Sequence, residues 1–252
     1  IKTIDIIKKT GDYTVICGGP HVRAMPLDLL KYSRTDFICN GEGEVAFIKW
    51  VNSGFSETKG IIGRNTEGIL SQAEPSNINR LPYVDIDLFG SSRVLEHGSW
   101  ELYFKTRGFK KVLNTSFSRG CINICSTCFN KKITFSQKNG VVKSNYRTKE
   151  IGYLLKEARN FIYKYKIDLI YFWDEHLPSF EYMKRLLLEN RSSNIPVVFS
   201  CPPQNLTLKH IELLSQFKSP FVVFILISAD NRTRKNLKFS LSTDEIRKKY
   251  AL

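Results

Sequence analysis

The chain has 252 residues, 42% of them hydrophobic, with 38 Lys and Arg against 24 Asp and Glu for a formal charge of +14. That length suits one large domain or two small ones, and that apolar share excludes a disordered chain. No run of ~18 apolar residues occurs and no secretory leader is visible, so the sequence predicts no membrane span and a cytoplasmic location.

The basic residues are scattered, with short clusters at 105–111 and 232–238. Without a basic tail or an aromatic–basic ladder, they read as a solvated surface rather than a nucleic-acid face. The chain opens in a helical pattern, "IKTIDIIKK", without an initiator Met, and is expected to be a fragment. "YTVICGGPH" is a strand running into a turn at Gly18 and Gly19, and a helix is expected over 26–32. "DFICNGEGE" repeats the arrangement, with Gly41 and Gly43 in the turn and a helix starting at "EVAFIKWV". Strand, glycine turn and helix in repetition point to a parallel α/β sheet. Residues 61–70 read as a hairpin, and 75–92, rich in Pro, Asn and Ser, as a linker. Cys17, Cys39 and Cys201 lie in or just after apolar runs and are expected to be inert thiols.

A second series starts at 112 with the strand "KVLNTSF". A helix over 148–164, capped by Thr148, precedes the strand "DLIYFWDE". "SFEYMKRLLLENR", capped by Ser179, precedes the strand "IPVVFSCPP", and "TLKHIELLSQF", whose His210 is expected to be exposed, precedes the strand "FVVFILISAD". "STDEIRKKY" opens a last helix. Such βα units form either a barrel or a doubly wound sheet, with the chemistry at the carboxyl ends of the strands. Three cysteines follow the first strand, Asp174 and Glu175 the second, Cys201 the third, and Ser228 with Asp230 the fourth.

Those three cysteines, Cys121, Cys125 and Cys128 in "SFSRGCINICSTCFNKK", are spaced C-x3-C-x2-C. Clustered thiolates select zinc or an iron–sulfur cluster. A structural zinc site wants four ligands, and the distant candidates His176 and Cys201 belong to other strand ends. A cubane held by three thiolates keeps one iron open to a small molecule.

With its "SRG" lead and the βα series after it, this loop resembles the cluster loop of the radical S-adenosylmethionine family. "VICGGPHV", "DFICNGEGEVAFIKWV" and "INRLPYVDIDLF" are similar in order and spacing to the family's cobalamin-binding branch. The resemblance implies the C-terminal half of a Rossmann-like cobalamin (B12) domain over 1–74, a linker over 75–111 and a partial (β/α)6 barrel over 112–252. It implies a 4Fe–4S cluster on Cys121, Cys125 and Cys128 that cleaves S-adenosylmethionine reductively. Asp174, Glu175 and Ser228 would lie near that cofactor, and Gly18, Gly19, Gly41 and Gly43 near cobalamin. Methyl transfer or another C–H functionalisation of a small-molecule or peptide substrate would follow, with electrons from a flavodoxin- or ferredoxin-like protein. The alternatives are a transfer-RNA methylthiotransferase and a non-catalytic, metal-stabilised module. The sequence departs from the family pattern at Thr127, where an aromatic residue is usual, and at Ile225 and Ile227, which stand where a Gly-x-Glu turn is expected.

Overall fold

A computed structural model describes the chain except residues 67–70, 97–100, 123–127, 129–134, 139–140, 145, 218–220, 238, 240 and 252; at 92–93, 101–102, 135–138, 141–144 and 221 it describes the backbone. The described residues divide into two units, Ile1–Leu81 and Pro82–Leu252.

In the first unit, α1 (Lys2–Thr10) leads to β1 (Ile16–Cys17), then α2 (Pro20–Ala24), α3 (Asp28–Tyr32), β2 (Phe37–Cys39), α4 (Gly43–Asn52) and β3 (Ile61–Gly63). β1 and β2 pair in parallel, and β3 adds to β2 antiparallel. Alternation along the strands sends side chains to two cores. Phe37, Cys39 and Ile61 meet Ala46 and Trp50 of α4, while Ile38 and Ile62 meet Val22 and Leu30 of α2 and α3. The sheet is therefore covered on both faces, as a Rossmann-like sheet is.

One local expectation is corrected. The helix expected over 26–32 begins instead at Pro20 and is broken into α2 and α3, because Pro26 has no N–H to continue the helical ladder. Of the hairpin expected over 61–70, Ile61–Gly63 are strand and pair with Phe37–Cys39, while residues 67–70 lie outside the described residues.

In the second unit, the stretch read as linker carries a 3-10 turn (Ile86–Phe89), α5 (Ser91–Glu96) and α6 (Glu101–Lys105). It also sends Ile86, Leu95 and Phe104 into buried clusters. Then come β4 (Val112–Thr115), β5 (Ser118–Arg119), β6 (Phe135–Lys138), β7 (Val141–Ser144), β8 (Arg147–Thr148) and α7 (Ile151–Tyr165). β9 (Leu169–Phe172), α8 (Phe180–Asn190), β10 (Val197–Cys201), α9 (Leu208–Leu214), β11 (Phe221–Phe224), α10 (Asn231–Asn236) and α11 (Thr243–Tyr250) complete it.

β4, β9, β10 and β11 form one sheet in chain order, every pair parallel. A doubly wound sheet reverses direction at a switch point; this one advances steadily, as an arc of a barrel does. Leu113, Ile170, Phe172, Val197, Phe199 and Cys201 point to the core that includes Leu154, Leu155 and Ala158 of α7 and Met183, Leu186 and Leu187 of α8. Val112, Leu169, Tyr171 and Val198 point the other way, where Phe104 of α6 closes the inner face with its ring 5.3 Å from Tyr171.

Thr148 does not cap the helix that follows it. Its backbone is paired with Ser118, and α7 starts three residues later after Glu150, so the ladder displaces the cap. The run at 221–227 stops being strand at Phe224, with Leu226 and Ile227 exposed. His210 is half-buried rather than exposed, because its Nδ1 lies 2.8 Å from the Thr207 hydroxyl in the cap of α9. Ser179 does cap α8, accepting from the Tyr182 N–H at 3.3 Å. Ser179→Ala is expected to cost about 1 kcal/mol in urea unfolding, and Ser179→Asp close to nothing.

Candidate functional site at the cysteine loop

The cysteine loop leaves the carboxyl end of β4 and is tied at its base. Ser118 and Arg119 pair antiparallel with Arg147 and Thr148, so the excursion from 120 to 146 departs from and returns to one two-stranded stem. Gly120, at φ 85°, turns the chain out of β5 into Cys121, a conformation that glycine adopts freely.

Asp174, two residues past β9, secures the stem from below. Its carboxylate accepts from Phe117 N (2.9 Å), Ser118 N (3.0 Å) and Ser118 Oγ (2.5 Å). Its carbonyl accepts from Ser200 Oγ at 2.6 Å, which links β10 to the same point. Burial pushes the Asp174 carboxyl up to about 6 against the pull of Ser118, the two N–H groups and Lys149. The carboxylate placed near S-adenosylmethionine by resemblance is thus engaged with the loop base.

A buried polar layer surrounds this clamp. Lys149 N donates to Phe117 O (2.7 Å), and its ammonium pairs with Glu157 at 2.7 Å in a largely enclosed setting. Tyr182 donates to Lys149 O at 2.7 Å. Burial, with the Asp174 charge and Tyr146 adding to it, pushes its phenol up. Tyr146 is hydrogen-bonded to Ser118, and burial, with the charges of Asp174 and Cys121 behind it, moves its phenol up to about 12. His176, 1% exposed, lies edge-on to Tyr146 with ring centres 4.9 Å apart and 5.6 Å from Phe117.

Of the three cysteines, Cys121 is buried beside this layer. Cys128, half-buried, lines a cavity of about 400 Å³. Cys125 lies outside the described residues, and among the described ones no trio of metal-binding side chains converges. Tyr171, Ser200 and Val223 of the inner strand face form part of the cavity wall, with Trp173 and Glu175 at the end of β9. Ile225, Ile227 and Phe239 complete an apolar side. Glu175, exposed at the cavity wall, is the carboxylate of the acidic pair that meets this space. Ser228 stands elsewhere: its hydroxyl accepts from Asp230 N (3.1 Å) and its carbonyl from Arg234 (2.7 Å). Cys201 faces the helix-side core, and burial pushes its thiol up to about 12, so it is inert.

The four glycines of the first unit serve differing ends. A Cβ on Gly41 (φ 138°) would meet Ala73 at 2.9 Å; on Gly18 and Gly43 it would touch Cys39 at 3.6–3.7 Å. Gly19 (φ 92°) has nothing within 4 Å. Of the four, Gly41 answers to the chain's own packing, whereas a Cβ on Gly18 or Gly43 would make an ordinary contact. Ser118, Tyr146, Tyr182, Lys149 and Glu157 were not singled out from sequence, since each is an ordinary residue type whose partner lies on another element.

No family model matches the chain, and no curated protein matches it. Among solved structures, it is similar to the cobalamin-dependent S-adenosylmethionine radical enzyme OxsB with aqua-cobalamin bound, with a TM-score of 0.61 and 17% identity over 97% of this chain. The same enzyme with aqua-cobalamin and S-adenosylmethionine bound gives 0.59 and 16%. The chain spans about a third of that enzyme's length, 36% and 35% in the two structures. At that identity the likeness is one of fold.

Proposed function

We propose that this chain carries the core of a radical S-adenosylmethionine enzyme, with Cys121, Cys125 and Cys128 holding a 4Fe–4S cluster. The observation that carries the reading is positional. The thiol loop rises from the first strand of a one-directional parallel arc, and Cys128 lies in the wall of a cavity at the carboxyl ends of the next three strands. Likeness of fold to OxsB along 97% of the chain supports it.

The thiols fit such a group chemically, being soft donors on one pinned loop. Cys121, Cys125 and Cys128 would hold the cluster, which would supply the electron for reductive cleavage of S-adenosylmethionine. The chain's own part is to hold the loop by Asp174 and Ser118 and to keep the cavity dry. Trp173, Ile225, Ile227 and Phe239 give the cavity apolar wall, and Glu175 gives it a carboxylate. The substrate is proposed to be a small molecule or peptide, modified at carbon, with a flavodoxin- or ferredoxin-like donor of electrons. Cobalamin is proposed for the first unit on the likeness of fold to OxsB, with Gly18, Gly19 and Gly43 free of tight packing and Gly41 held against Ala73.

Anaerobic reconstitution tests the reading. About four irons and four sulfides per chain are expected, with absorption near ~400 nm that each of Cys121→Ala, Cys125→Ala and Cys128→Ala abolishes. Dithionite and S-adenosylmethionine should then yield 5′-deoxyadenosine. One zinc and no sulfide would establish the metal-stabilised module instead, and a loaded cluster without 5′-deoxyadenosine would refute the catalytic part.

A further inference from the structure

The positive charge of the chain is not shared evenly between its two units. Pro82–Leu252 holds 28 of the 38 Lys and Arg and 15 of the 24 Asp and Glu, a formal charge of +13, while Ile1–Leu81 carries +1. Part of that excess is scattered in sequence from Arg107 to Arg191 and gathered by the topology. β4, β9 and β10 are adjacent and parallel, so the segments that enter them lie side by side along the amino edge of the sheet. Lys110 and Lys111 lead into β4, Lys164 and Lys166 into β9, and Arg191 toward β10. The Asp168 carboxylate accepts from the N–H groups of Lys110 (2.8 Å) and Lys111 (3.0 Å), which ties the first two of these segments together.

Only some of these cations are neutralised. Lys164 pairs with Asp87 at 2.6 Å and Lys111 lies 3.9 Å from Glu96. Arg107, Lys110, Lys166 and Arg191 are exposed and form no ion pair among the described residues. Three of them lie over aromatic rings: Arg107 is 4.0 Å from the centre of Tyr103, Lys166 5.2 Å from Tyr163, and Arg191 5.4 Å from Phe217. Tyr163 is 82% exposed and Tyr103 40%. A helix C-terminus favours a cation through its dipole, which accounts for Lys166 and Arg191 at the ends of α7 and α8. It does not account for Lys110, well past the end of α6, or for a tyrosine held in water between Lys164 and Lys166.

Exposed rings beside unpaired cations suit a chain that alternates phosphates with flat bases. A duplex hides its base faces, and an acidic lipid surface has none. We propose that the amino edge of the second unit's sheet binds single-stranded nucleic acid, with Tyr163 and Tyr103 stacking on bases and Lys110, Lys166 and Arg191 meeting phosphates. This edge lies at the opposite end of the strands from the cavity, so the inference does not rest on the proposed chemistry.

Fluorescence anisotropy of a labelled oligothymidylate of ~12 nucleotides tests it on the full chain. Binding should be micromolar at low salt, with log K falling against log salt by about 0.7 for each phosphate met. Lys166→Gln and Arg191→Gln should each flatten that slope by about 0.7. Tyr163→Ala should weaken binding about tenfold with the slope unchanged, and Tyr163→Phe should bind like the parent. Lys59→Gln, at an exposed lysine of the first unit, should change nothing. Each of these side chains is on the surface, so all the variants should keep the parent's melting temperature. A parent that does not bind, or binding indifferent to the changes at Tyr163, Lys166 and Arg191, overturns the proposal. So does a parent that holds polyphosphate or phosphatidylserine vesicles as tightly as the oligonucleotide, because the edge is then a general anion surface.

Discussion

Asp174→Ala should destabilise the second unit by roughly 3 kcal/mol at pH 7, because it strands two buried backbone N–H groups and a hydroxyl that share a single acceptor. Asp174→Asn should recover part of the loss, since its amide keeps one oxygen and turns an NH₂ toward a second N–H. Burial raises the native carboxyl to about 6 from an ordinary value near 3.8. Between those values the native state binds more protons than the unfolded state, so stability falls as pH rises. The contribution of the neutral acid is complete below pH ~4 and gone above ~6, a span of about 3 kcal/mol at 1.36 per pH unit. Urea unfolding of the parent and of Asp174→Asn from pH 4 to 7 isolates this term. The deficit of the variant should be largest at pH 4 and shrink toward pH 7, and a deficit that grows with pH would contradict it. In reconstitution, both variants should bind less iron, because the clamp holds the root of the loop that carries Cys121.

What could be read from sequence was what repeats locally. Apolar runs such as "LIYF" and "VVFSC" marked strands buried on both faces, and Ser179 marked a helix start through a side-chain bond within three residues. The cysteine spacing was legible for the same reason. Strand order was not legible, because barrel arcs and doubly wound sheets share the same βα alternation and differ in pairings between distant strands. The polar layer under the loop was hidden likewise: Asp174 meets Ser118 across 56 residues, and Tyr182 meets Lys149 across 33. Thr148 shows where local reasoning lost to tertiary context, its capping chemistry overridden by a ladder to Ser118. At the end of β11, hydrophobicity suggested strand to 227, but Ile225 and Ile227 line the cavity instead.

Gly60→Ala should be the most damaging small substitution in the first unit. At φ 89° the backbone already disfavours a side chain, and a Cβ there would sit 2.3 Å from Ala73 N and 2.5 Å from Ala73 Cα and Cβ. Those atoms cannot step aside cheaply. Ala73 N donates to Asn40 O (2.9 Å), Asn40 N donates to Gly60 O (2.7 Å), and Gly60 N donates to Ser71 Oγ (2.9 Å). Relieving the overlap therefore breaks a ladder that Asn40 Nδ2 also supports through Ser71 O at 3.0 Å. Strain at φ and backbone overlap together set a loss of about 4 kcal/mol or more, enough to unfold a small unit. Gly54→Ala is the control: φ is 67° but nothing lies within 4 Å, so it should cost only about 1 kcal/mol. Amide exchange at Ile38, Cys39 and Ile62 separates the two, rising many-fold for Gly60→Ala and little for Gly54→Ala. The same web bears on the Gly41–Glu42–Gly43–Glu44 turn. Glu42 accepts from Ser76 N at 2.7 Å and Glu44 lies 3.4 Å from Ser76 Oγ, so the acids of that motif hold the chain's own next segment. If Gly60→Ala leaves exchange at β2 and β3 unchanged, the turn is not braced by residues 71–76. Its glycines would then have to be explained by something other than packing.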